Sequence, residues 1–377
     1  MKKQLAKLLS YLILFLLISN FISCQDEVGS FTVTNKSNIL RIQETVSIDL
    51  IKYNYFSNLS VTNHKGEIIV SQLVDNDGDD KPDEILFQDD FKAQEVKTYH
   101  LVKTENQIED QSKVYAAFIK GREDLAWESD KIAFRMYGPP LANEVNNGID
   151  VWAKRVDYLI VNKWYKEEAE GKSYHVDTGE GADFFSVGKS LGAGGSALYR
   201  NNSLYQSGVY KKYQIITNGP IRTKFKLSYS FEIDGSKILE EKIVSIDVGS
   251  YLNRIETTYN KIPNDIVFVA GLVKRESTNI FKDSSNSFIS LWGNISSNDN
   301  DGELGTAVIL PDAKMLTINE DNTHVLISKA IDESKKIVYY SGAGWSKQRD
   351  FKTEDDWIIY LNDFYQKLNN PLIIDFK

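Results

Sequence analysis

Four histidines occur in the 377-residue chain, His64, His100, His175 and His324. His175 has the richest surroundings, in Tyr174-His175-Val176-Asp177-Thr178-Gly179-Glu180-Gly181-Ala182-Asp183. Imidazole is the side chain whose ordinary pKa lies nearest neutrality, so a histidine held on an open loop among carboxylates suits general acid or base work. Asp177 is placed to orient the ring. A metal held by His175, Asp177, Glu180 and Asp183 is an alternative use of the same residues. A histidine that merely supports a polar loop is a third.

Upstream stand Gly121-Arg122-Glu123-Asp124-Leu125-Ala126-Trp127-Glu128-Ser129-Asp130 and Phe134-Arg135-Met136-Tyr137-Gly138, then Trp152, Lys154 and Arg155. Arginine forks two hydrogen bonds to a carboxylate or sulfate. Tryptophan offers a flat apolar face to the C–H patches of a sugar ring. Tyr137 can give or take a proton. Each residue taken singly fits an exposed ion pair or an aromatic core equally well. The concentration of these types in one stretch argues for a site, with Trp345 of Gly342-Ala343-Gly344-Trp345 as a late contributor.

Two further motifs carry less. Asp75, Asp77 and Asp79 alternate along a Gly-containing acidic loop, the oxygen-rich pattern that suits a structural calcium ion, though the loop lacks the closing glutamate of an EF-hand. A solvated acidic hairpin tip is the plainer account. Gly188-Lys189-Ser190-Leu191-Gly192 matches the nucleophile-elbow spacing, but no strand–turn–helix context surrounds it, so it reads as a close-packing turn.

The only cysteine, Cys24, sits at the end of a leader. Lys2, Lys3 and Lys7 precede a largely apolar run from Leu8 to Ile22, too short for a comfortable membrane span and typical of a signal segment. Ser23-Cys24 at its end resembles a bacterial lipobox, which implies cleavage before Cys24 and acylation of its thiol as a membrane anchor. That use of the lone cysteine excludes disulfides, thiolate zinc sites and cysteine nucleophiles from the body. With 53 acidic against 44 basic side chains, the net charge of −9 argues against a nucleic-acid partner. An anionic ligand must then be drawn in by a local basic cluster.

The elements that must hold these residues are strands. Tyr, Phe, Val, Ile and Thr are frequent, and no long segment shows a convincing helical apolar period. Residues 221–233 alternate strictly, Ile221 to Ile233 on one face and Arg222 to Glu232 on the other. Asp234-Gly235 and Gly249-Ser250 turn the chain into further strands around 238–248 and 252–259, a meander of a large antiparallel sheet. Other strand-like runs are 68–73, 84–87, 97–103, 266–272, 287–292, 306–310, 323–328 and 336–340. Residues 122–210 read as loop-rich, where function usually concentrates. The organisation expected is a signal peptide over 1–23, a tether over 24–30, an N-terminal β region over 31–120 and a β-supersandwich region with catalytic loops over 121–377, the last two forming one continuous domain.

The motifs from Gly121 to Arg222, closing with Asn218-Gly219-Pro220-Ile221-Arg222, resemble a family of exported Bacteroidetes proteins found among polysaccharide-utilisation enzymes. That family is similar to the oligosaccharide dehydratases of ulvan breakdown. The resemblance implies an all-β fold, a large antiparallel galactose-mutarotase-like β-supersandwich with long loops forming a cleft. It also implies removal of water across C4–C5 of a glucuronic or iduronic acid at a non-reducing end, leaving an unsaturated uronyl end, with no cofactor required. Fold alone does not determine the reaction. From residue chemistry, His175 and Tyr137 are the expected proton-transfer pair, in an order left open. Arg122, Arg135 and Lys154 would hold the uronate and a neighbouring sulfate, and Trp127 and Trp345 would stack on sugar rings. A polysaccharide lyase and a non-catalytic carbohydrate-binding lipoprotein are the competing expectations. The partners expected are an anionic oligosaccharide and, through Cys24, the outer membrane.

Overall fold

A computed structural model describes residues 26–51, 58–104, 111–311 and 317–376. Cys24 and the expected signal peptide over 1–23 lie outside the described residues. Among those that are described, no helix is long and apolar enough to cross a membrane.

The alternating segment becomes the strand Arg222–Ile233, with Phe225, Leu227, Tyr229 and Ile233 buried and the polar face half-buried apart from the exposed Glu232. It pairs in unbroken register with Ser236–Asp247, which pairs with Leu252–Tyr259. This meander supplies three strands of an eight-stranded antiparallel sheet, completed by Lys212–Asn218 at one edge and by Lys336–Trp345, Glu303–Ile309, Phe288–Asn294 and Thr278–Asp283. A five-stranded sheet built on Ala193–Arg200, Val267–Val273 and His324–Ala330 packs against it. Phe225, Leu227, Val244, Ile255, Phe268, Ile327 and Tyr339 share one apolar core between the two sheets. The fold is an all-β supersandwich.

The N-terminal strands form a smaller sandwich of five and three strands with its own core, including Phe31, Val46, Phe87, Tyr99 and Leu101. Asp26–Thr34 pairs with Val96–Lys103, so residues 26–30 belong to this sheet and are not a free tether. On its other side the same strand takes Ile373–Phe376, so the chain's last described strand closes the first sandwich.

Two expectations need correction. Helices occur at Val161–Ala169 and Glu354–Asn369. The second opens on a reciprocal cap between Thr353 and Asp356 and buries Trp357 and Leu361 four residues apart. Residues 122–210 are also less loop-rich than expected. Tyr115–Ile119, Asp124–Glu128, Ala133–Met136, Asp150–Lys154 and Gly181–Ala182 form a five-stranded antiparallel sheet. Its three inner strands are buried at every position, so they show no alternation, and ionic residues within them disguise them as loop.

Candidate active site

The sheet running from Tyr115 to Ala182 assembles the site. Arg135 lies directly opposite Asp150 on the neighbouring strand and opposite the small Ala126 on the other side. Nε and Nη2 of Arg135 both donate to Asp150 Oδ2, at 2.9 and 2.7 Å. Nη2 also donates to Asp183 Oδ2 at 2.8 Å and to the Tyr137 hydroxyl at 2.9 Å. Nη1 donates to the Tyr174 hydroxyl at 3.0 Å and lies 3.9 Å from Asp124. Tyr137, two residues beyond Arg135 and on the same face, donates to Asp150 Oδ2 at 3.1 Å. Arg135, Asp124, Asp150 and Asp183 are all buried.

Asp183 reaches this cluster because Gly181 lets its strand press against Lys154. Gly181 has φ +116°, and a Cβ there would stand 2.0 Å from the Ala153 carbonyl. The Asp183 amide donates to the Tyr174 carbonyl at 3.0 Å. The Asp183 carbonyl accepts from His175 Nδ1 at 2.9 Å, while its carboxyl lies 3.6 Å from the same nitrogen. A carbonyl can only accept, so Nδ1 carries a proton and Nε2 is the nitrogen turned away from this bond. The imidazole packs against Tyr174 at 4.6 Å and is 55% exposed. A buried ionic cluster thus opens to solvent through His175, through the half-buried Tyr137 and through Arg122. The last donates to Tyr174 at 2.9 Å and pairs with Glu168 on the helix Val161–Ala169.

Burial sets the electrostatics. It raises the Asp183 carboxyl well above the usual range; the Asp150 charge pushes the same way, and Arg135 opposes without cancelling. Burial also raises Asp124 against the pull of Arg135. Burial and Asp150 raise the Tyr137 phenol, again against Arg135. Tyr137 is therefore held as a protonated phenol.

The structure brings His175, Tyr137, Arg122 and Arg135 together, and it corrects the rest of the sequence-derived set. Arg135 is 4% exposed with its donors committed, so it organises the cluster and does not hold substrate. Lys154 is buried and bonds Glu128, Ser129 and Tyr158. Glu128 in turn accepts from the Ile160 and Val161 amides, where a helix N-terminus favours negative charge. Lys154 therefore anchors that helix. Trp127 is buried, and its indole donates to Asn253 at 2.6 Å. Trp345 is buried too, and its indole donates to the Asp301 carbonyl. Neither offers a free face to a sugar; Arg155 covers Trp345 at 4.9 Å from the ring centre. Asp177 does not orient His175: it accepts from the Gly179 and Gly181 amides and pairs with Arg155.

The metal alternative also dissolves. Asp177 is paired with Arg155, Glu180 with Lys163 and Trp164, and Asp183 with Arg135. Among the described residues, one group of carboxylates converges as cation ligands do, and it comprises Asp75, Asp77 and Asp83, with contact atoms within 4.8 Å of one another. Asp79 turns away toward Lys81. Ser190 of the Gly-x-Ser-x-Gly run is buried and donates to the Val187 carbonyl, as a turn residue does.

Asp150 escaped the sequence reading, although a lone carboxylate in the apolar run Ile149-Asp150-Val151-Trp152 signals a buried partner. Away from this site, a cavity of about 740 Å³ lies between the N-terminal sandwich, the Arg222–Asp247 meander and the C-terminal helix. It holds none of the groups just described.

Architecture places the chain in the class of all-β supersandwich proteins. A glycosyl hydrolase family 38 protein from Enterococcus faecalis superposes with a TM-score of 0.54 at 10% identity, over 94% of this chain and 49% of that one. An alpha-mannosidase from Enterococcus faecalis V583 gives 0.53 at 9% identity, over 94% and 47%. The chain spans about half the length of these two structures, and the likeness is one of fold. The chain belongs to the DUF4861 family, whose model, described as a domain of unknown function, matches residues 33–374. It is 34% identical to "Uncharacterized protein P7" of Formosa agariphila, over 95% of this chain and 96% of that protein.

Proposed function

We propose that this protein is a carbohydrate-active dehydratase that removes water across C4–C5 of a glucuronic or iduronic acid at the non-reducing end of an anionic, ulvan-type oligosaccharide. The observation that carries the reading is the meeting of an exposed histidine, bonded through Nδ1 so that Nε2 is left for a substrate, with a phenol held protonated on the same buried cluster. Likeness in fold to glycosyl hydrolase family 38 proteins adds support for a carbohydrate ligand.

The C5 hydrogen beside a carboxylate is a very weak acid. Its removal needs a base, a cation to quieten the carboxylate and an acid for the leaving oxygen. In this reading His175 Nε2 takes the C5 proton. Arg122, 44% exposed at its side chain, faces the uronate carboxylate. As the C4–O bond breaks, Tyr137 protonates the departing hydroxyl and water leaves. Arg135 and Asp150 position Tyr137. No step calls for a cofactor; the Asp75–Asp77–Asp83 group is assigned a structural calcium ion. Acylated Cys24 would tether the enzyme to the outer membrane.

Incubation with saturated uronate-ended oligosaccharides, followed by mass detection, tests the proposal. Products lighter by one water with the chain intact are expected. Chain shortening alone would make the protein a lyase, and binding without any mass change would make it a non-catalytic carbohydrate-binding protein.

A further inference from the structure

The cavity of about 740 Å³ beside the C-terminal helix has the size of small-molecule sites, which run from about 300 to 1,000 Å³. Its floor is the outer face of the eight-stranded sheet, with Arg222, Ser245, Asp247, Arg254 and Tyr340 lining it. Their chain neighbours Val244, Ile255 and Tyr339 belong to the core on the opposite face. Ser245 lies directly between Lys224 and Arg254 on adjacent strands, and Arg254 lies opposite Tyr340. Strands stand about 4.8 Å apart, so these four residues form a polar row about 14 Å long. One wall is the helix Glu354–Asn369, which contributes Tyr360 and Phe364; Phe364 meets the Tyr340 ring edge-on at 5.1 Å. The other wall is Arg41–Asp49, an edge strand of the N-terminal sandwich, where the cavity-lining Ile42 is 58% exposed.

The floor carries a surplus of positive charge. Arg222 forks onto Asp247 through Nε and Nη2 at 2.6 and 2.9 Å, and its Nη1 stands 3.9 Å from Glu84, beyond hydrogen-bond reach. Arg254 Nη2 donates to Glu256 at 3.1 Å, and Glu256 is shared with Lys336 at 2.7 Å. Lys224 donates to the neutral amide oxygen of Asn76. Four cations, Arg222, Lys224, Arg254 and Lys336, therefore meet three carboxylates, Glu84, Asp247 and Glu256. On the walls, Arg41 and Lys367 share Glu44, and Asp363 makes the balance there even. Burial lowers the Lys224 ammonium below its ordinary value; Glu84 opposes, while Arg222 and Arg254 push the same way as burial. An anion on this row relieves the repulsion among the three cations.

We propose that this cavity is a second binding site, separate from the His175 cluster, for a sugar acid of one or two rings. Its carboxylate or sulfate lies on the row between Lys224 and Arg254, which is 39% exposed at its side chain. Guanidinium and ammonium groups give such an anion charged hydrogen bonds. The apolar C–H face of the ring packs on the aromatic wall of Tyr340, Tyr360 and Phe364. The sugar class rests on the carbohydrate reading above; the cavity and its charge do not, and no step of the dehydration passes through them.

Calorimetric titration of the whole protein tests the site, with His175→Ala and Arg122→Gln together silencing the first one. Glucuronate and rhamnose 3-sulfate are the probes, and methyl glucoside is the neutral control. Both anions should bind saturably, at least about tenfold more tightly than the control, and more weakly as salt is raised. Adding Arg254→Gln or Lys224→Gln should each weaken binding about tenfold, the worth of one charged hydrogen bond. Ile42→Trp, which fills the cavity from an exposed position and spares the core, should weaken it as much with Tm unchanged. Absence of saturable binding in the silenced protein overturns the proposal. So does affinity that none of the three substitutions moves, or equal affinity for methyl glucoside. Wild-type protein that binds here but never lightens a uronate-ended oligosaccharide by one water defeats the proposed function and leaves this site standing.

Discussion

Two of the buried ionic clusters among the described residues differ in balance and in access to solvent. Inside the supersandwich, Lys242 pairs with Glu240 at 2.6 Å, and Glu240 also accepts from Thr257 and Tyr259 at 2.9 and 3.0 Å. One cation meets one anion, hydroxyl groups fill the remaining positions, and both charged residues are buried. Arg135 instead faces three buried aspartates, and its cluster reaches water through His175 and Tyr137. A closed, neutral pair gives rigidity at the cost of desolvation. An unbalanced, vented cluster keeps groups of perturbed pKa close to water, and such groups mark functional sites. Lys154 and Glu128 belong with the first kind, although the sequence sets them beside the second.

The sharpest test of that contrast is His175→Ala. It should lower kcat on a uronate substrate by about 10²–10⁴-fold, the usual worth of a general base, with little change in Tm because the ring is exposed. Unchanged turnover would remove His175 from the chemistry. Next come Lys154→Met and Lys242→Met, each leaving one buried carboxylate unpaired. Each should cost about 3–5 kcal/mol in denaturant unfolding, with KM of the surviving folded enzyme unmoved. A rise in KM for Lys154→Met alone would return Lys154 to the substrate site.

Acid should separate the loop over the site from the rest. Glu180 is raised by partial burial but lowered more by bonds from Lys163, Tyr158 and Trp164, and settles at about 2. A depressed carboxyl contributes stability above its unfolded pKa and loses it as pH falls toward the folded value. Unfolding measured from pH 5 down to about 2 should therefore show a loss on the order of 2 kcal/mol that Glu180→Gln lacks. Arg122→Gln should lower kcat/KM about tenfold, roughly one charged hydrogen bond, with no stability loss of the size seen for Lys154. The smallest effect concerns the acidic loop. At ten times its Kd, calcium should add about 1.4 kcal/mol of stability by mass action, an increment lost in Asp83→Asn and kept in Asp79→Asn.

Much of the fold was legible because its rule is local. The Arg222–Ile233 alternation, the Asp234-Gly235 turn and the apolar spacing of later strands each follow from a few neighbouring residues. The sheet from Tyr115 to Ala182 was not, since strands buried on both faces lose their period. The C-terminal helix was missed for the opposite reason: its cap and its Trp357, Leu361 and Phe364 spacing are present, but a β-rich surrounding masks them.

The site divides along the same line. Residue chemistry singled out His175, Tyr137, Arg122 and Arg135, which do come together. It also singled out Trp127, Trp345 and Lys154, whose types suit a sugar site and whose burial forbids it.

The sequence by itself determined the β architecture, the acidic balance, the placing of the only cysteine at position 24 and the candidate proton carriers, since composition and short-range pattern suffice for these. Only the tertiary structure decided which carboxylates serve them. Asp150 meets Arg135 across a strand pairing fifteen residues apart, and Asp183 joins from another loop through the close approach at Gly181. Such partners are chosen by register and burial, which no short window of sequence records.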